Sequence, residues 1–99
     1  MDIEFELYGI RFVANREKAL KNPQKHEGVS FEVAAQAFFD PFLKAVDASR
    51  SEESREAIIG FDETSRLLFV VHIALEDDRI RIISARKATR EERRLYENG

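Results

Sequence analysis

Residues 67–85 have the sequence LLFVVHIALEDDRIRIISA, which predicts the centre of a β-sheet. The apolar run at 67–75 has the composition of a buried strand, and the charged residues at 76–78 predict a tight turn after it. Apolar and polar residues then alternate from residue 79 onwards, as expected for a strand with one buried face. Two strands joined by a short polar turn form an antiparallel hairpin, so this stretch is the predicted core of the fold.

Further strand patterns flank this hairpin. Residues 57–61 predict a strand just before it, connected through a polar turn at 62–65, so that three consecutive strands form an antiparallel meander. Alternation at 3–7 predicts an N-terminal strand that residues 12–13 extend past a turn, and residues 42–46 predict a short strand. The sequence therefore predicts an antiparallel sheet of about four to five strands.

Two predicted helices precede the meander. Asn15 is the expected N-cap of a helix through Lys21, and Pro23 is expected to end or kink this helix. Ser30 is the expected N-cap of a second helix, which residues 40–41 (DP) terminate.

The C-terminal segment predicts a third helix. Thr89 and Glu92 have the spacing of a capping box, in which each side chain bonds the backbone N–H of the other residue. The helix is expected to extend to Glu97. Helices segregated from a meander give an α+β domain, which we expect to span residues 1–99 with a polar loop at 49–54.

The composition is that of a small globular protein. The 99-residue chain is 43% hydrophobic and has eight phenylalanines, enough for one packed core. It has no cysteine, which excludes disulfides and thiolate chemistry. No apolar run reaches the ~18 residues that span a bilayer, and the acidic start is unlike a signal peptide. We therefore expect a cytoplasmic protein with no membrane partner.

Charge is unevenly distributed along the chain. The net charge of −3 argues against a general nucleic-acid binder. Residues 79–94, however, carry seven basic and two acidic side chains, a local charge of +5, which leaves −8 on the rest. This asymmetry predicts one electropositive face on an acidic body, and the alternative is a solvated charged helix.

The strand that starts at residue 79 carries the main candidates for anion binding. Its alternation places Ile80 on the core side and Arg79 and Arg81 on the opposite side. Guanidinium groups there can hold a phosphate by two parallel hydrogen bonds. Arg86 lies on the side of Ile80 if the alternation continues, whereas a β-bulge near Ile83 moves it to the side of the other arginines. The sequence leaves both registers open.

Two histidines are candidates for proton transfer. His72 can share the exposed face with Arg79 and Arg81, or it can lie inside a small satellite core. His26 lies in a predicted loop, where a neutral imidazole near arginines can act as a general base, or it can cap a helix end beside Gly28. The two histidines do not have the spacing of a metal site, so no metal is expected.

Several short segments, each weak alone, become specific through their order and spacing. They are Asn22-x-x-Lys25-His26, residues 28–32 (GVSFE), 34–35 (AA), 40–41 (DP), Arg55, 59–60 (IG), 78–90 (DRIRIISARKATR), 92–93 (ER) and Tyr96. Together, across residues 12–97, they resemble the BrnT family of toxins from bacterial toxin–antitoxin pairs. The chain departs from the usual family pattern in having Ala14 and Asn15 in place of a Trp-Asp pair, and Glu27 as an additional residue.

This resemblance implies a RelE-like α+β fold, with two N-terminal helices and one C-terminal helix around an antiparallel sheet. It also implies a toxin that cleaves RNA without a metal or other cofactor and arrests bacterial growth. The implied partner is a cognate ribbon-helix-helix antitoxin, similar to BrnA, in a heterotetramer. Operator DNA would be contacted only through that antitoxin.

The same resemblance implies site residues for attack by the RNA 2′-hydroxyl, a reaction that requires an oriented phosphodiester, proton transfer and charge neutralisation. The candidate phosphate clamps are Arg79, Arg81 and Arg86, with Lys25 and Arg55 as further candidates. The candidate general base or acid is His26 or His72. The candidate RNA-binding residues are Lys87, Arg90, Arg93 and Tyr96, of which Tyr96 supports the arginines or stacks on a base. The alternative function is a catalytically weak module that binds an antitoxin-like partner and acts in operon autoregulation.

Overall fold

The structure, a computed structural model, describes residues 1–49 and 54–99. Its strands are β1 (Asp2–Leu7), β2 (Ile10–Asn15), β3 (Lys44–Asp47), β4 (Glu56–Phe61), β5 (Leu67–Ala74) and β6 (Ile80–Lys87). Its helices are α1 (Arg16–Lys25), α2 (Phe31–Gln36), a 3-10 helix at Ala37–Phe39 and α3 (Arg90–Glu97). The described strands form one mixed sheet of six, in the order β1-β2-β6-β5-β4-β3, which gives an α+β architecture.

The sequence predicted four to five strands, all antiparallel. This is wrong, because the sheet has six strands and one of its strand pairs is parallel. Residues 10–15, expected to continue the first strand, turn back and pair antiparallel with β1. Tyr8 and Gly9 both have positive φ, 49° and 86°, which is the backbone geometry of a tight hairpin turn. β2 then pairs in parallel with β6, where Phe12 lies beside Ile80, so the sheet is mixed.

The predicted pair of N-terminal helices is also wrong, because the chain begins with the β1–β2 hairpin. α1 and α2 follow this hairpin and precede β3. Asn15 caps α1 as expected, by accepting from the Lys18 N–H, but the helix passes through Pro23 and ends at Lys25. Pro23 lies in the last turn of α1, so its missing N–H removes a single helical hydrogen bond and the helix continues for two more residues.

Other local predictions are confirmed. Ser30 caps α2 by accepting from the Val33 N–H, and Thr89 and Glu92 form the capping box of α3. β4, β5 and β6 form the antiparallel meander.

The strand expected at 42–46 begins instead at Lys44. Residues 50–53 of the predicted polar loop lie outside the described residues.

The two faces of the sheet are covered differently. The core face carries Phe12, Leu68, Val70, Ile82 and Ala85, and residues of α2 and the 3-10 helix complete this cluster. The 3-10 helix approaches closely because β4 has a glycine there: a Cβ on Gly60 would lie 2.6 Å from the Ala37 carbonyl oxygen. The opposite face, called here the open face, carries Phe69, Val71, Arg81 and Arg86, and α3 lies beside β4.

A β-bulge in β6 determines which face Arg86 occupies. His72 of β5 pairs with Ile82, and the preceding residue, Val71, pairs with Ser84, so Ile83 is an extra residue in β6. The alternation shifts at this point, and Arg86 comes to the open face together with Arg81. Of the two registers that the sequence left open, the structure has the bulged one.

Candidate functional site

A cleft of about 840 Å³ lies where α1 meets the open face. α1 and the residues at its ends form one wall, β5 and β6 form the floor, and the segments next to β3 and β4 form the other wall. The lining residues are Asn15, Glu17, Lys18, Lys21, Asn22, Lys25, His26, Asp47, Ala48, Ser49, Arg55, Phe69, Val71, Ile83, Ser84 and Arg86.

This cleft carries more basic than acidic side chains, although the chain as a whole is acidic. Five cationic side chains and two carboxylates line it, so its formal charge is +3 with His26 neutral, against −3 for the whole chain. Its floor is partly apolar, with Phe69, Val71 and Ile83. A cationic cleft with walls of low dielectric constant concentrates its field on a bound anion. The cleft is therefore suited to a phosphate-bearing ligand.

α1 places three lysines along one side of the cleft. Lys18, Lys21 and Lys25 are three and four residues apart, so their side chains share one face of the helix. Sequence reasoning found Lys25 but missed Lys18 and Lys21, although this spacing in a predicted helix was the available signal. It also assigned no role to Asn22, a residue of α1 that is only 6% exposed and whose side chain faces β6.

Arg86 is held firmly in the cleft by an ion pair and an aromatic ring. Its Nη1 and Nη2 each donate to a carboxylate oxygen of Glu92 at 2.8 Å, and its guanidinium carbon lies 4.4 Å from the centre of the Phe69 ring. The hydrogen bond with Glu92 raises the pKa of Arg86. Burial raises the pKa of Glu92, but the bonds from Arg86 and from the Thr89 N–H outweigh it and leave that pKa lowered. The ion pair therefore persists at neutral pH.

Arg79 and Arg81 do not line the cleft. Arg79 donates to Glu4 at 3.0 Å and to Asp77 at 2.7 Å, and Arg81 donates to Asp2 at 2.8 Å. The bond from Arg81 lowers the pKa of Asp2. The structure thus separates the three predicted phosphate clamps: Arg86 lines the cleft, and the other two pair with acids of β1 and of the turn before β6.

The two histidines lie on opposite sides of the sheet. His26 lines the cleft, whereas His72 is 7% exposed on the core face, edge-on to Phe38 with ring centres 4.8 Å apart. Of the two placements that the sequence left open for His72, the structure has the buried one, because the row with Phe69 and Val71 occupies the open face. Burial lowers the pKa of His72, so its ring is neutral at pH 7. Only His26 of the two histidines can reach a ligand in this cleft.

Lys87, a predicted RNA-binding residue, lies at the rim of the cleft. Its Nζ is 2.7 Å from Glu27 Oε2, and both residues border a small pocket next to His26 and Arg86. The hydrogen bond from Lys87 lowers the pKa of Glu27. The additional residue Glu27 therefore forms a surface ion pair close to the imidazole.

The predicted RNA-binding residues of α3 have unequal surroundings. Tyr96 donates to Asp40 Oδ2 at 2.7 Å and lies edge-on to Phe61, which fastens α3 to the sheet. Burial and the bond to Asp40 raise the pKa of Tyr96 to about 12. Arg93 lies over the Phe61 ring at 6.0 Å, and Arg90 is an exposed first residue of the helix. Tyr96 thus supports the helix, and it shares the Phe61 ring with Arg93.

Among residues 1–49 and 54–99 there is no group of three or more His, Asp or Glu side chains placed to hold a metal ion. Nor does any helix in these two ranges have the length and apolar content needed to cross a membrane.

The fold and the site define a small α+β protein whose sheet carries a cationic cleft with an imidazole and a guanidinium in its lining. A family model described as "Ribonuclease toxin, BrnT, of type II toxin-antitoxin system" matches residues 15–92, from the N-cap of α1 to Glu92. The chain belongs to this family, which confirms the resemblance and implies an antitoxin partner. The chain has no match among curated proteins.

Proposed function

We propose that the protein is a metal-independent endoribonuclease and that the cationic cleft is its active site. The observation that carries this proposal is that Lys25, His26, Arg55 and Arg86 line one cleft in a chain of a ribonuclease toxin family. These residues come from α1 and its C-terminal end, from the residue before β4 and from β6, and only the folded sheet brings them together.

The reaction uses the nucleophile that RNA supplies. The 2′-oxygen attacks the adjacent phosphorus, the bond from phosphorus to the 5′-oxygen breaks, and a 2′,3′-cyclic phosphate and a 5′-hydroxyl remain. The reaction needs one group that takes the proton of the 2′-hydroxyl and one that delivers a proton to the leaving 5′-oxygen. His26 performs one of these transfers, and a solvent water performs the other. Arg86, Lys25 and Arg55 neutralise the charge that develops on the non-bridging oxygens. His72 takes no part, since it lies buried on the core face.

We further propose that a cognate ribbon-helix-helix antitoxin neutralises the toxin by binding it in a heterotetramer, and that operator DNA is contacted through this antitoxin. The charge of the chain supports this division of roles. A net charge of −3 disfavours binding of a DNA backbone by the chain as a whole, which supports placing the contact with DNA on the partner.

The test is cleavage of a single-stranded RNA by the purified protein in EDTA, with His26→Gln as the control. We expect cleavage to products ending in 2′,3′-cyclic phosphate, a strong loss of rate in His26→Gln, and inhibition by the purified antitoxin. A folded wild-type protein that leaves RNA intact with and without Mg²⁺ would refute the nuclease. Activity that appears only with Mg²⁺ would refute metal independence.

The ion pairs favour one other function, a catalytically weak module that binds the antitoxin. Arg79, Arg81 and Arg86 each already bond a carboxylate, so RNA must compete with these partners. A tight complex with the antitoxin, together with no cleavage by the free protein, is the result that this alternative predicts.

A further inference from the structure

Asn22 connects two parts of the cleft that are far apart in the sequence. Its Nδ2 donates to the Val29 carbonyl at 2.7 Å and to the Ala85 carbonyl at 2.9 Å. Val29 ends the loop that carries His26, and Ala85 precedes Arg86 in β6. A single side-chain amide therefore links the loop with the imidazole to the strand with the guanidinium.

The backbone of Asn22 holds the other end of the same loop. Its carbonyl accepts from the His26 N–H at 3.0 Å, and the His26 carbonyl accepts from the Val29 N–H at 3.0 Å. The loop between His26 and Val29 is thus anchored at both ends on one residue. Any displacement of Asn22 relative to β6 moves His26 with it.

The sheet explains why a side chain is needed at this place. β2 pairs with β6 only where Phe12 faces Ile80 and Val13 faces Arg81. The last two residues of β2 pair with β1, and the chain then enters α1. The Ala85 carbonyl therefore has no N–H of β2 as its partner on this side. An unpaired buried carbonyl is costly, and the Asn22 amide supplies the missing donor.

We propose that Asn22 is the positioning residue that sets the separation between the His26 imidazole and the Arg86 guanidinium. This inference rests on the RNA cleavage proposed above. A displacement on the order of 1 Å between two reacting groups lowers a catalytic rate strongly, whereas the cations that attract RNA remain in the cleft. Loss of the Asn22 donors therefore lowers kcat more than it weakens RNA binding.

Asn22→Asp tests this with Asn15→Asp as its matched control. Aspartate has the shape of asparagine but no N–H donor, so Asn22→Asp loses both bonds and adds a negative charge. Asn15→Asp adds the same charge to the same cleft and keeps the helix cap, because Asn15 acts there as an acceptor that aspartate replaces equally well.

We expect kcat of Asn22→Asp to be about tenfold or more below that of Asn15→Asp. The Kd for an uncleavable RNA analogue with a 2′-deoxy group should agree between the two variants. Equal kcat values, or a difference between the two variants that lies in the Kd for RNA and not in kcat, would overturn the proposal.

Two further measurements keep the result interpretable. If Asn22→Asp does not fold, Asn22→Ser retains one donor, and an unchanged kcat in the folded serine variant would contradict the proposal. If the wild-type protein cleaves no RNA, the proposed function fails, but NMR still tests the connection. The ring signals of His26 and the Nε–H signal of Arg86 should then both shift more in Asn22→Asp than in Asn15→Asp, and equal shifts would refute the role of Asn22.

Discussion

Arg86 and Glu92 face each other through two parallel hydrogen bonds of 2.8 Å, at the point where β6 passes into α3. Glu92 also accepts from the Thr89 N–H at 2.8 Å, so the same carboxylate closes the capping box of α3. The C-terminal helix and the Arg86 guanidinium are therefore held by the same carboxylate. We therefore expect a substitution that displaces α3 to displace the Arg86 guanidinium as well.

Arg86→Ala should reduce kcat/KM for RNA cleavage by about 100-fold or more, because it removes a preorganised cation from the developing phosphorane charge. Arg86→Lys should restore little, since an ammonium group cannot keep the two parallel bonds to Glu92. Initial rates on a short labelled RNA measure both variants.

Arg79→Ala is the comparison for this experiment. Arg79 lies outside the cleft lining and pairs with Glu4 and Asp77, so its removal should cost less than Arg86→Ala. A larger loss in Arg79→Ala than in Arg86→Ala would contradict the placement of the active site and support the clamp expected from the sequence.

Glu92→Gln should separate the cap of α3 from the hold on Arg86. Glutamine at this position keeps a capping box, so the helix content measured by circular dichroism should not change. The ion pair is lost, the guanidinium gains freedom, and kcat should fall about fivefold to tenfold while KM for RNA does not rise. Glu91→Gln removes the same charge from the same helical turn, and a loss of rate there equal to that of Glu92→Gln would disprove this explanation.

Tyr96→Phe should lower the free energy of unfolding by about 1–2 kcal/mol, because Asp40 loses the hydroxyl donor. RNA cleavage should stay unchanged, since that hydroxyl bonds Asp40 away from the cleft. Urea denaturation measures the stability, with Tyr8→Phe as the control: the Tyr8 hydroxyl bonds Glu63 at an exposed site and should contribute less. A large loss of cleavage in a stable Tyr96→Phe protein would instead favour a direct role for Tyr96 with RNA.

Acid should destabilise the fold through His72. Burial places the folded-state pKa of His72 below its ordinary value of 6.5, so the unfolded chain binds a proton more readily than the folded protein. Stability is therefore complete above pH 6.5 and is lost as the pH falls from 6.5 towards the lower folded-state pKa.

Urea unfolding at a series of pH values from 7.5 to about 5 measures this effect. His72→Leu should remove the part of the pH dependence that begins near 6.5, and His26→Gln should retain it because His72 remains. If the wild-type protein and His72→Leu lose stability in parallel, the buried imidazole is not the cause.

Local signals in the sequence determined the helix starts and the meander. Asn15, Ser30 and Thr89 each bond a backbone N–H three residues ahead, so the information for each cap lies within one helical turn. The strands of the meander are joined by short turns, which makes neighbouring strands pair with each other. The cations of the β6 segment and the family resemblance were likewise visible before folding, since both depend on the order of residues alone.

Only the tertiary structure decided which of these groups meet. The partners of Arg79 and Arg81 on β1 are 75 and 79 residues away in the chain, and no local pattern specifies them. The bulge at Ile83 and the face of His72 depend on the register between β5 and β6, where a shift of one residue exchanges the two faces. β2 pairs with β6 over two residues only, and beyond them Asn22 donates to the Ala85 carbonyl of β6. The cleft forms where α1 meets β6, and this contact between distant parts of the chain arises only on folding.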